Sequence, residues 1–162
     1  MAVILKTFLE ECPAVKLVGK RYTDADRDQF GSYGEKWGQW HANGWFDQLE
    51  CCGNALDGSY VGAMRMTEQG FEYWIGMLMT EAQVPAGFEV VDIPAGKLAV
   101  CYLYGREDSG DLYGMHDACM AEWKKNGWNP NGWYMERYNC PRFTTPDEQG
   151  NVILDYCATL AE

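Results

Sequence analysis

Alternation of apolar and polar side chains marks out the strands of this chain. Val3–Leu9 alternates weakly and runs into a turn at Glu11-Cys12-Pro13-Ala14, after which Val15–Tyr22 (VKLVGKRY) is strand-like. The same signals return as Phe88–Ile93, then Pro94-Ala95-Gly96, then Lys97–Tyr104 (KLAVCYLY). Each is a strand, a proline-bearing bend and a second strand. Proline donates nothing to a ladder, so both bends point to an edge position or a bulge. Ser59–Met66 and Phe71–Met79 flank a turn at Thr67-Glu68-Gln69-Gly70. Their counterparts are Gly132–Tyr138 and Val152–Leu160, joined by a loop through Pro141 and Pro146.

Helical periodicity occupies two stretches, roughly Asp28–Ala42 and Leu112–Lys125. Phe30, Tyr33, Trp37 and Trp40 are spaced three, four and three apart, as are Tyr113, His116, Met120 and Trp123, which puts each set on one helix face. Asp24 or Asp26 is placed to cap the first helix and Ser109 or Asp111 the second. Both end at Asn-Gly, with Gly44 and Gly127 in position for left-handed C-terminal caps. Gly31, Gly34 and Gly38 each cost a helix interior about 1 kcal/mol against alanine. They imply either a neighbour approaching the backbone closely or a short, broken helix. Trp45–Asp57 reads as a loop or a frayed helix.

The two halves match. Trp40–Trp45 (WHANGW) and Trp123–Trp128 (WKKNGW) share Trp-x-x-Asn-Gly-Trp at an offset of 83 residues, and Pro13-Ala14-x-Lys16-Leu17 matches Pro94-Ala95-x-Lys97-Leu98 at an offset of 81. The expected architecture is α+β: a tandem duplication, about 1–80 and 81–162, of a strand-helix-strand-strand unit with antiparallel sheets and two main helices. The copies are expected to pack with pseudo-twofold symmetry, leaving a ligand cleft between them, within one domain.

Composition narrows the function. The 162 residues are 47% hydrophobic and 14% aromatic, with seven Trp and ten Tyr, enough to line a site with rings. A formal charge of −11 argues against a nucleic-acid partner, which needs a basic face, and suits a cationic ligand. Seven cysteines without C-x-x-C spacing or a signal peptide indicate reduced thiols and a cytoplasmic protein. No apolar run is long enough to cross a membrane as a helix. His41 and His116 with scattered Cys match no zinc spacing, and there is no phosphate loop, nucleophile elbow or dinucleotide fingerprint, so neither metal nor cofactor is expected.

Glu136 is the leading chemical candidate. It lies mid-strand with Tyr134 and Tyr138 on its own face, and aligning Arg137 with Arg65 puts Met64 at its place in the first half. A carboxyl walled by tyrosines has a raised pKa unless a cation or donor meets it; the alternative is a solvated Glu on an exposed face. The helical stripes are either plain core or the wall of a wet, ring-lined pocket, since Tyr33, Tyr113 and His116 bring polar tips that a dry core must satisfy. His116 is either an acid–base group or a hydrogen-bonded structural residue.

Val18-Gly19-Lys20-Arg21-Tyr22, Tyr73-Trp74-Ile75-Gly76, Phe88–Lys97 (FEVVDIPAGK), Trp123–Trp128 and Glu136-Arg137-Tyr138 occur in the order of a known family. Through them the chain resembles a stand-alone member of the GyrI-like small-molecule-binding superfamily, the effector-binding domain of AraC- and MerR-type multidrug regulators. The resemblance implies a channel for bulky aromatic, often cationic ligands, with an acidic floor residue matched by Glu136 and stacking by Tyr33, Trp37, Tyr113 and Tyr156. Met64, His116 and Tyr138 complete the expected lining. No helix-turn-helix flanks the module, so direct transcriptional control is not expected, and a monomer is the default. Some relatives resemble hydrolases of cyclopropane-bearing genotoxins, which would make Glu136 with Tyr113 or His116 catalytic. Others resemble a gyrase inhibitor.

Overall fold

The strand signals become strands with slightly longer limits. The structure, a computed structural model, describes residues 1–81 and 84–161. Along them run β1 (Val3–Cys12), β2 (Val15–Tyr22), α1 (Gly34–Ala42), α2 (Trp45–Glu50), β3 (Ala55–Thr67) and β4 (Gly70–Met79). There follow β5 (Glu89–Ile93), β6 (Gly96–Arg106), α3 (His116–Lys125), β7 (Pro130–Tyr138) and β8 (Asn151–Leu160). Two compact units result: a middle unit, Ala14–Pro94, and a terminal unit, Met1–Pro13 with Ala95–Glu162.

The boundaries fall at the two Pro-Ala bends. Strand order in the middle unit is β3-β4-β2-β5 and in the terminal unit β7-β8-β6-β1, with antiparallel pairing throughout each. The outermost strand of each set thus precedes the other unit's first strand in sequence: β1 leads into β2 but pairs with β6, and β5 leads into β6 but pairs with β2. In the middle unit Gly19 faces Gly76 across the β2–β4 ladder. A Cβ on either would sit 2.0 Å from a backbone oxygen, so only glycine permits this approach.

The helices differ from expectation at their starts. The first begins at Gly34 rather than near Asp28, because Asp28 accepts the backbone N–H groups of Phe30 (2.9 Å) and Ser32 (3.0 Å) and holds a loop in which Gly31 has φ +76°. This is the familiar competition of an Asp side chain with the helix ladder. A Cβ at Gly31 or Gly38 would meet nothing within 4 Å, so these glycines serve no close approach, and the helix is simply short. Asp26 instead accepts the Thr23 N–H at 2.9 Å, stabilising a tight turn over Asp24–Asp26. The second helix begins at His116; Asp111–Gly114 forms a separate tight turn entered through Gly110 at φ +74°. Phe30 therefore lies outside its helix, 83% exposed, and Tyr113 lies one turn ahead of its own. Of the two alternatives for Trp45–Asp57, a loop or a frayed helix, its first part is helical as α2, which buries Phe46 and Leu49.

Each unit closes over one repeated tryptophan. Trp40 packs with Val18, Tyr22, Phe46, Ile75 and Met77; Trp123 packs with Ala99, Cys101, Leu103, Cys119 and Tyr156. Both are fully buried. A buried Trp removes on the order of 200 Å² from water, which at about 25 cal/mol per Å² is about 5 kcal/mol before ordering costs.

Candidate functional site

Strand β7 alternates as read: Trp133, Met135 and Arg137 are buried on one face, while Tyr134, Glu136 and Tyr138 share the other and are only partly covered. That second face carries the helix α3, and Glu136 stands directly across the ladder from Tyr156 of β8. Tyr138 Oη donates to Glu136 Oε2 at 3.2 Å and is itself hydrogen-bonded to Tyr113. Among the described residues no Lys or Arg pairs with Glu136. Its surface stays partly open, yet the surrounding protein atoms strip enough water that burial pushes its pKa up to about 7, against a small opposing effect of the Tyr138 hydroxyl.

The rings around this carboxyl are locked to one another. His116 Nδ1 lies 2.6 Å from Tyr156 Oη, and its ring meets Tyr134 edge-on at 5.2 Å. Tyr156 lies parallel to Trp123 (5.8 Å, 6°) and nearly so to Tyr134 (6.4 Å, 18°), and Tyr134 Oη donates to Met120 Sδ at 3.6 Å. Burial first, then the charge of Glu136, raises the hydroxyl pKa of both Tyr113, to about 12, and Tyr156. Almost half of Tyr113 is open to solvent, so the crowding is local to its hydroxyl. Both phenols are proton donors at neutral pH. His116 is the first residue of α3.

Five expected site residues thus meet in the terminal unit: Glu136, Tyr138, Tyr113, His116 and Tyr156. Tyr33, Trp37 and Met64 belong to the middle unit and meet each other there. Tyr33 stacks on Tyr73 (4.1 Å, 2°) and donates to Thr23 O at 2.9 Å, and Trp37 Nε1 donates to Tyr73 Oη at 2.9 Å. Met64 faces Tyr73 across the β3–β4 ladder, as Glu136 faces Tyr156. The guanidinium of Arg27 lies 4.9 Å from the Tyr33 ring. The middle unit therefore has a cation of its own over its rings and a thioether at the register position where the terminal unit has an acid.

Tyr134 and Met120 join the cluster without having been singled out as ligand contacts. Strand alternation and helical spacing place them there. Gly62 was missed altogether: a Cβ on it would come 2.7 Å from Tyr73 Oη and 3.1 Å from Trp37, so it makes the space these two occupy. Gly62→Ala is expected to cost about 1–3 kcal/mol through overpacking and to break the Trp37–Tyr73 hydrogen bond. The checks are a lowered urea midpoint and a shifted tryptophan emission maximum.

No protein-family model matches the chain, and no curated protein matches its sequence. Solved structures match over nearly its full length. SAV2435 bound to tetraphenylphosphonium gives a TM-score of 0.72 at 15% identity, covering 97% of this chain and 94% of that one. The C-terminal domain of EcmrR gives 0.62 at 13% identity, covering 97% and 98%. An integron cassette protein from the mobile metagenome of Vibrio cholerae gives 0.57 at 12% identity, covering 99% of each. The chain has the GyrI-like α+β fold, in the form shared by SAV2435 and the EcmrR C-terminal domain.

Proposed function

We propose that this protein binds bulky, flat, often cationic aromatic small molecules, holding the positive charge against Glu136 and the rings against Tyr113, Tyr134, Tyr138 and Tyr156. One observation carries the reading: Glu136 is a water-poor carboxyl with, among the described residues, a single protein donor, inside a wall of aromatic rings. An incoming cation supplies the partner such a group otherwise lacks, and each ring face it meets contributes about 0.5–2 kcal/mol. The likeness to a structure holding tetraphenylphosphonium, a lipophilic aromatic cation, supports the same ligand class. Tyr33, Trp37 and Met64 are proposed as ligand contacts on the resemblance alone, and the whole chain is read as one effector-binding module of two repeats.

The test is tryptophan-fluorescence titration with tetraphenylphosphonium and with a planar cationic dye. Wild type is expected to saturate, and Glu136→Gln to bind about 10- to 100-fold more weakly, the range for losing one charge-assisted contact. Equal affinity in the two proteins removes Glu136 from the site. A second reading follows from the carboxyl pKa near 7 beside hydrogen-bonded phenols, a combination suited to general acid–base work on a strained electrophile. Turnover of a cyclopropane-bearing substrate that disappears in Glu136→Gln decides for that reading.

A further inference from the structure

Arg27 sits among the rings of the middle unit as a bound organic cation would. Its guanidinium carbon lies 4.9 Å from the centre of the Tyr33 ring and 5.0 Å from that of Phe71, both within cation–π reach. Its Nε donates to Asp24 Oδ1 at 2.9 Å and its Nη1 to the Gly31 carbonyl at 2.9 Å. Two rings, a carboxylate and a carbonyl are the partners that a planar, weakly hydrated cation uses.

The walls of this site are held by bonds that do not involve Arg27. Tyr33 is stacked on Tyr73, and its hydroxyl donates to the Thr23 carbonyl. The Asp28 carboxylate ties the loop together, accepting from the Phe30 and Ser32 N–H groups and, at 2.9 Å, from the Ser32 hydroxyl. Phe71 is carried by β4. Arg27 itself is held less firmly. Its side chain is 36% exposed and that of Asp24 68%, and an ion pair so open to water contributes little. The walls are preorganised and the occupant is replaceable.

We propose that Tyr33, Phe71, Asp24 and the Gly31 carbonyl form a second site for guanidinium-type organic cations, one that Arg27 occupies in the free protein and that an outside cation enters by displacing it. The location rests on this geometry; only the ligand class rests on the cation binding proposed for Glu136. The two units then meet a cation in opposite ways: the terminal unit presents an acid, and the middle unit a site filled by its own side chain. Arg27 is an intramolecular competitor. A site from which it is absent about one-tenth of the time binds about 10-fold more weakly than the same site left open.

The probe is methylguanidinium, which copies the Arg27 head group, titrated into the full chain and followed by calorimetry and NMR. Arg27→Ala is expected to bind it saturably and about 10-fold more tightly than wild type, with shifts confined to Asp24–Tyr33 and Phe71. Sodium chloride at the same concentration should give neither effect. Adding Phe71→Leu to Arg27→Ala removes one ring and should weaken binding severalfold, whereas adding Glu136→Gln should leave it unchanged. In wild type the Arg27 Nε–H signal should move toward its position in water as methylguanidinium is added. No saturable binding by Arg27→Ala, or an affinity equal to that of wild type, overturns the proposal. Binding that vanishes with Glu136→Gln belongs to the terminal unit; it overturns the proposal and leaves the Glu136 reading standing. Tetraphenylphosphonium that fails to bind wild type, with methylguanidinium still bound by Arg27→Ala, removes the Glu136 reading and supports the second site. If far-UV circular dichroism shows Arg27→Ala unfolded, the wild-type Nε–H titration decides, and an unmoved signal overturns the proposal.

Discussion

Asp155→Ala is expected to cost about 3–5 kcal/mol, the range for deleting one member of a buried ion pair. Asp155 is fully buried on the β8 face away from α3. It accepts from Arg137 Nε at 3.2 Å and from Arg142 Nε at 3.0 Å, and Arg137 in turn donates to Glu10 on β1 at 2.5 Å. The Arg137 side chain is only 4% exposed. Without Asp155 its guanidinium keeps a single carboxylate, and the desolvation already suffered is no longer offset. The urea midpoint should fall accordingly, and Tm by roughly 10 °C for a chain of this size. The double change Arg137→Met with Asp155→Leu, which removes both charges and keeps volume, should recover most of the loss. A single-variant cost below about 1 kcal/mol would mean that the cluster behaves as a solvated surface pair.

Glu136→Gln is expected to stabilise the folded protein at pH 8 by up to about 3 kcal/mol while weakening cation binding. The carboxyl has an ordinary pKa of 4.5 and, folded, one of about 7. Between those values the folded state binds the proton and the unfolded state does not. The stability this contributes is therefore fully present below about pH 4.5, declines as pH rises toward 7 and is level above it. The interval corresponds to about 3 kcal/mol. Urea melts of wild type at pH 5 and pH 8 should show this decline, and Glu136→Gln should abolish most of it. A wild type whose Glu136 contribution is the same at both pH values would show the carboxyl to be well hydrated. Residues kept for ligand recognition at the expense of stability show this signature.

How far the sequence was legible depended on what kind of information each feature needs. Glu136 was readable because alternation along Trp133–Tyr138 is a local property, and its tyrosine neighbours follow from the same two-residue period. The caps at Gly44 and Gly127 were readable because left-handed geometry selects glycine. The helix starts were not. Periodicity extended past Gly34 to Phe30, whereas the Asp28 side chain gives those residues a competing loop. Partnership was the deeper loss. Arg137 was matched with Arg65, but nothing in the chain says that each faces an acid across its ladder, Asp155 and Glu72 respectively. That the Trp123 indole N–H is buried with no acceptor among the described residues depends on what packs around it, a relation between elements that no spacing encodes.

The strand exchange at the two Pro-Ala bends also sets a timetable for synthesis. Translated before the middle unit, β1 has its partner β6 still unmade until the whole of Ala14–Pro94 has emerged. The middle unit can assemble as soon as β5 appears, since every strand it needs has by then been translated. The terminal unit has to recruit a segment that has waited, with Val3, Leu5 and Leu9 still exposed even in the finished molecule. Such distant pairing is slow to form, so the middle unit is expected to assemble before β1 finds β6.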